Sequence, residues 1–148
     1  MVLAHREHPK DIIAHRTRVM KLDKDKNPKP YKDWRLLENS GVAAGKILFP
    51  TGGGGILFPP KSLHPEVLNA AKFMELCPTG DDIFWFAMGA LQETKIRVPL
   101  EPQKAVIDIN DDEAQKVSLW EINQLGENDA MIKSVFTAYN IYARLKAM

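Results

Sequence analysis

Apolar residues in this chain cluster in short runs, with helical spacing in the second half and partial alternation near the start. Residues 2–8 read as the end of a helix stopped by Pro9. From Asp11 to Leu22, Ile12, Ile13, Val19 and Met20 surround His15, Arg16 and Arg18, which predicts one strand carrying basic side chains on one face. A polar loop with two prolines covers residues 23–33, and a short helix is expected from Trp34 to Glu38. The run Ile47-Leu48-Phe49-Pro50 recurs as Ile56-Leu57-Phe58-Pro59, with Thr51 and four glycines between, which predicts two short strands and a tight connection.

The helical signals follow. Over His64–Leu76, Val67, Leu68, Ala71 and Leu76 can share a face. Over Asp81–Leu91, Phe84, Ala87, Met88 and Leu91 repeat at i, i+3, i+4, i+7, the pattern of a core stripe. Lys95–Pro99 and Ala105–Ile109 read as short strands. A last helix is expected from Asn128, a favourable N-cap, to about Lys146, burying Met131, Val135, Ala138, Tyr139 and Tyr142. Together these elements predict a mixed α/β fold, in one domain over residues 1–148.

Composition narrows the function classes. Hydrophobic residues make up 45% and charged residues 26%, the balance of a folded globular chain rather than a disordered one. No apolar run approaches the roughly 20 residues that span a bilayer, and no secretory leader pattern follows Met1. Cys77 is the only cysteine, so no intrachain disulfide forms; a cytoplasmic protein is the expectation. Residues 1–40 carry ten Lys/Arg against six Asp/Glu, an excess compatible with a phosphate-bearing ligand or with peripheral contact to an anionic membrane, and most simply with a solvated face. Basic residues are not interleaved with stacking aromatics, so nucleic acid is not expected as a partner.

The strongest chemical candidate is Cys77-Pro-Thr-Gly-Asp-Asp-Ile-Phe-Trp-Phe86. It sets Asp81 and Asp82 at a helix start, where the dipole and the unbonded N–H groups favour carboxylates. Asp82, Trp85, Phe86 and Gly89 share a second helix face, and a carboxylate beside an aromatic ring suits a sugar. The structural alternative is a capping box, Thr79-x-x-Asp82. Gly52–Gly55 lacks the Gly-Lys-Ser/Thr of a phosphate loop and reads as a turn or as a loop that lets a ligand approach. His5-x-x-His8 has no evident third ligand. Asp108, Asp111 and Asp112 read as a solvated acidic loop, and Cys77 as a core residue.

Taken in order, several stretches resemble a group of bacterial glycosyltransferases related to the family-2 type and associated with lipopolysaccharide and capsule synthesis. They are Pro9–Arg18, Tyr31–Trp34, Phe49–Pro60, Ser62–Pro65, Leu76–Phe86, Ser118–Trp120, Asn123 and Asn128-Asp129. The resemblance implies a partial GT-A, Rossmann-like fold, a small mixed sheet flanked by helices, representing the C-terminal acceptor side. It implies transfer of a sugar from a nucleotide sugar to a glycan acceptor. Asp82 would be the base with Asp81 beside it, and Trp85, Gly53, Gly54, Gly55, His15 and Arg16 would contact substrate. A divalent metal, Mn or Mg, would come with the donor. The family's DxD motif belongs to a donor half expected before this sequence; Asp23-Lys24-Asp25 sits in the wrong place for it, and no metal ligand is assigned here. The alternative is a truncated, catalytically silent glycan-binding or protein-interaction domain, for which the exposed edge of a half sheet favours a homodimer.

Overall fold

A computed structural model describes residues 1–37, 46–99 and 126–147. Within them, five helices and two three-stranded sheets form a mixed α and β architecture. Helix α1 (Val2–Glu7) ends at His8, ahead of Pro9 as expected.

The long strand expected over Asp11–Leu22 divides in two. β1 (Ile12–Ala14) is the centre of one sheet, antiparallel to β5 (Ile56–Leu57) and parallel to β6 (Ile96–Arg97). β2 (Thr17–Val19) is the centre of the other, antiparallel to β3 (Arg35–Leu37) and β4 (Leu48–Pro50). His15 and Arg16 carry the chain from one sheet to the other. All three β1 residues are buried, as suits a central strand covered on both faces. Asp11 and Arg97 form an ion pair that ties the entry of β1 to β6.

The two Ile-Leu-Phe-Pro runs form strands, but not with each other. β4 pairs with β2 and β5 pairs with β1, so the glycines between them bridge the two sheets rather than closing a hairpin. The helix expected at Trp34–Glu38 is also absent over its described part. A 3-10 turn at Tyr31–Asp33 precedes an extended Trp34 and then β3. Tertiary contacts set this: the buried Trp34 ring donates from Nε1 to Lys29 O at 2.8 Å and packs 5.1 Å from Tyr31 and 5.2 Å from Phe49.

The helix expected over His64–Leu76 is interrupted. Pro65–Leu68 is a 3-10 turn, and α2 (Ala70–Leu76) restarts after Asn69, whose side chain accepts from Lys72 N–H. Leu68 and Ala71 are exposed instead of joining the core face.

Helix α3 (Asp81–Leu91) forms where its periodicity places it. It buries Ile83, Phe84, Phe86, Ala87, Met88 and Gly89, a wider face than a surface helix needs. Phe86 links the layers, lying 5.2 Å from Phe49 of β4 and 5.7 Å from Phe136. The last helix is two: α4 (Asn128–Ala138) and α5 (Ile141–Ala147), broken where Asn140 takes a left-handed φ of 51°. Asn128 is the first helical residue rather than the N-cap, which is Glu127. Met131, Ile132, Val135, Phe136, Ile141 and Leu145 are buried, whereas Ala138 is exposed. The strand expected at Ala105–Ile109, the Asp108, Asp111 and Asp112 loop, Ser118–Trp120 and Asn123 lie outside the described residues. No described helix is long and apolar enough to cross a membrane.

Candidate functional site

The site is built where the chain crosses twice between the sheets. On the outward crossing, Arg16 O accepts from Thr51 N–H at 2.9 Å. His15 N–H donates to Gly55 O at 3.2 Å. The return crossing is the 3-10 turn Gly52–Gly54, which these bonds lay directly over Arg16. Glycine is required here by space. A Cβ on Gly54 would lie 2.2 Å from Arg16 Cβ and 3.1 Å from its backbone N, and Gly55 has a φ of +87°. Gly54→Ala is therefore expected to lower stability by about 1–3 kcal/mol, measured by urea denaturation, because Arg16 backbone must move to admit the methyl.

Helix α3 brings its acidic first turn to the other side of the same glycines. Asp82 Oδ1 accepts from Gly52 N–H at 2.8 Å, a bond spanning thirty residues of sequence. The N-cap position is held by Gly80, and Thr79 Oγ1 donates towards Met131 Sδ, so Asp82 is drawn to the glycine turn. Burial pushes the Asp82 carboxyl up from its ordinary 3.8 to about 6. The Gly52 N–H and Arg16 pull against that rise, and the neighbouring Asp81 adds to it. A carboxyl poised near 6 in a polar crevice is suited to taking a proton at neutral pH.

Asp81 faces a different way. It lines an open cleft of about 570 Å³ together with Gly52, Ile56, Phe58, Leu63 and Trp85. Its Oδ1 accepts from Asp82 N–H at 3.0 Å. The carboxylate lining the cleft with Trp85 is thus Asp81, four residues earlier on α3, while Asp82 stands at its margin, bonded to the lining residue Gly52. Phe58 packs edge-on against Trp85 at 5.5 Å and completes the aromatic wall.

The remaining expected residues are gathered unevenly. Gly53 lies against the Arg16 guanidinium, where a Cβ would be 3.5 Å from Nη1. Arg16 itself is exposed and beside Asp82. His15 is half-buried outside the cleft lining, its ring 3.5 Å from the Met1 amino nitrogen, and burial holds its pKa below the usual imidazole value. Phe58, Ile56 and Leu63 were not anticipated as site residues. The signal for Phe58 was the repeat itself: Phe49 of the first copy is in the core, and Phe58 of the second faces the cleft. Cys77 is buried, and burial raises its thiol to about 11, so it stays protonated and serves as core.

Among the described residues no group of three or more His, Cys, Asp or Glu side chains gathers around one point. No family model, curated protein or solved structure matches the chain.

Proposed function

We propose that this chain supplies the acceptor side of a glycosyl transfer, from a nucleotide sugar to a glycan acceptor of the lipopolysaccharide or capsule kind. The observation carrying this reading is the half-buried Asp82, raised to about 6 and fixed by Gly52 N–H at the margin of a cleft walled by Trp85 and Phe58. An acceptor sugar lays its apolar face on Trp85 and sets its hydroxyls towards Asp81. With Oδ1 held by Gly52, the second Asp82 oxygen takes the proton of the attacking hydroxyl. The acceptor oxygen bonds to the anomeric carbon as the bond from that carbon to the diphosphate breaks, the electron pair leaving with the nucleotide. The donor, and any Mn or Mg bound with it, is held by a separate donor-binding portion.

The test is a titration with simple hexose glycosides, followed through the Trp85 indole N–H resonance, beside a calorimetric titration with UDP- and GDP-sugars and manganese. Glycosides are expected to shift the Trp85 signal, and Trp85→Ala is expected to weaken their binding, measured by calorimetry, roughly tenfold, the scale of one aromatic contact. An unmoved indole signal with every glycoside would overturn the acceptor site.

The aromatic cleft also supports a second reading, a catalytically silent glycan-binding domain. The two separate on Asp82→Asn, which leaves glycan binding intact in both and abolishes transfer only in the first.

A further inference from the structure

The cleft has an uneven chemistry. Ile56, Phe58, Leu63 and Trp85 make it apolar and aromatic, and Asp81 is the one charged member among its described lining residues. No Lys or Arg is among its described lining residues. Arg16 lies across the glycine turn and acts on Asp82. Asp81 is exposed, and its Oδ1 is oriented by the N–H of Asp82. The start of α3 offsets part of the Asp81 charge, since the helix end carries roughly half a positive unit, but among the described residues that line the cleft no cation cancels it.

An aromatic face beside a carboxylate attracts a cation twice over, once through the ring quadrupole and once through the ion pair. The same pair repels an anion. A neutral sugar has only its apolar face to offer Trp85. A sugar with a free amine offers that face and an ammonium as well.

We infer that the cleft selects its sugar by charge, taking a hexosamine unit with a free ammonium group in preference to a neutral hexose and disfavouring a uronic acid. The ammonium sits at Asp81 and the sugar's apolar face on Trp85, with Phe58 holding the Trp85 ring. This rests on the reading of the cleft as a sugar site and adds to it the class of sugar.

The experiment is a titration of the full chain at neutral pH with three matched probes, methyl glucosaminide, methyl glucoside and methyl glucuronide, followed through the Trp85 indole resonance. The glucosaminide is expected to bind about tenfold more tightly than the glucoside, from one exposed ion pair and one cation–π contact, with the glucuronide weakest. Raising the salt to molar concentration is expected to narrow the gap, since the pair is exposed. Asp81→Asn keeps an acceptor for the Asp82 N–H and is expected to bring the three probes to within about twofold of one another. Equal binding of glucosaminide and glucoside by the unaltered chain would overturn the charge selection while leaving the sugar site standing. So would a ranking that survives Asp81→Asn. No shift with any of the three probes would overturn both the charge selection and the sugar site.

Discussion

Asp82→Asn is expected to make the protein more stable at neutral pH while abolishing transfer. The sign follows from the direction of the shift. The folded carboxyl titrates near 6 and the unfolded one near 3.8, so folding favours the protonated form. Stability from this group is fully present below the unfolded value, falls as pH rises towards 6, and is absent above it. The span corresponds to on the order of 3 kcal/mol between acid and neutral pH. Asparagine brings no charge to desolvate and keeps a side-chain oxygen for Gly52 N–H. Urea denaturation of both proteins from about pH 4 to 8 is expected to show the variant gaining about 1–3 kcal/mol at neutral pH and losing the slope between pH 4 and 6. With a donor-binding partner present, the transfer rate of the variant is expected to fall about 10²–10⁴-fold, the contribution of a positioned base. A variant less stable than the parent at neutral pH would mean that the carboxylate is a structural anchor, and the base assignment would go with it.

Phe136→Ala is expected to lower stability by about 3–5 kcal/mol, enough to threaten folding of a chain this size. Phe136 is fully buried on α4, stacked 5.7 Å from Phe86 of α3 and edge-on at 5.6 Å from Tyr142 of α5. Three helices meet at this ring, so its removal leaves a cavity that none of them can close alone. Chemical denaturation monitored by circular dichroism measures the loss. Phe136→Leu, which returns most of the volume, is expected to recover more than half of it.

The parts legible in the sequence are those whose pattern is local. Helix α3 was readable because Phe84, Ala87 and Met88 repeat at helical spacing and are in fact buried. The division of residues 11–22 was not readable, because His15 and Arg16 fit an alternating strand and only their bonds to Gly55 and Thr51, far along the chain, show the crossing. Trp34 likewise looks like a helix start until Tyr31 and Phe49 are seen to enclose it. The break at Asn140 carries a local signal, since asparagine tolerates the left-handed conformation. At the site, the sequence located the acidic helix start and its aromatic residue. It did not reveal that the two aspartates diverge, because the direction of Asp82 is decided by Gly52, thirty residues away.

The double crossing has a mechanical consequence. The outward chain at His15-Arg16 and the return chain at Gly52–Gly54 run side by side as a seam between the sheets, and Asp82 is fastened to the seam rather than to either sheet. A small rotation of one sheet against the other would shift the Gly52 N–H relative to α3 and change how firmly Asp82 holds its proton. A displacement of the glycine turn therefore acts on Asp82 through the Gly52 N–H, one of the contacts that favour its ionised form.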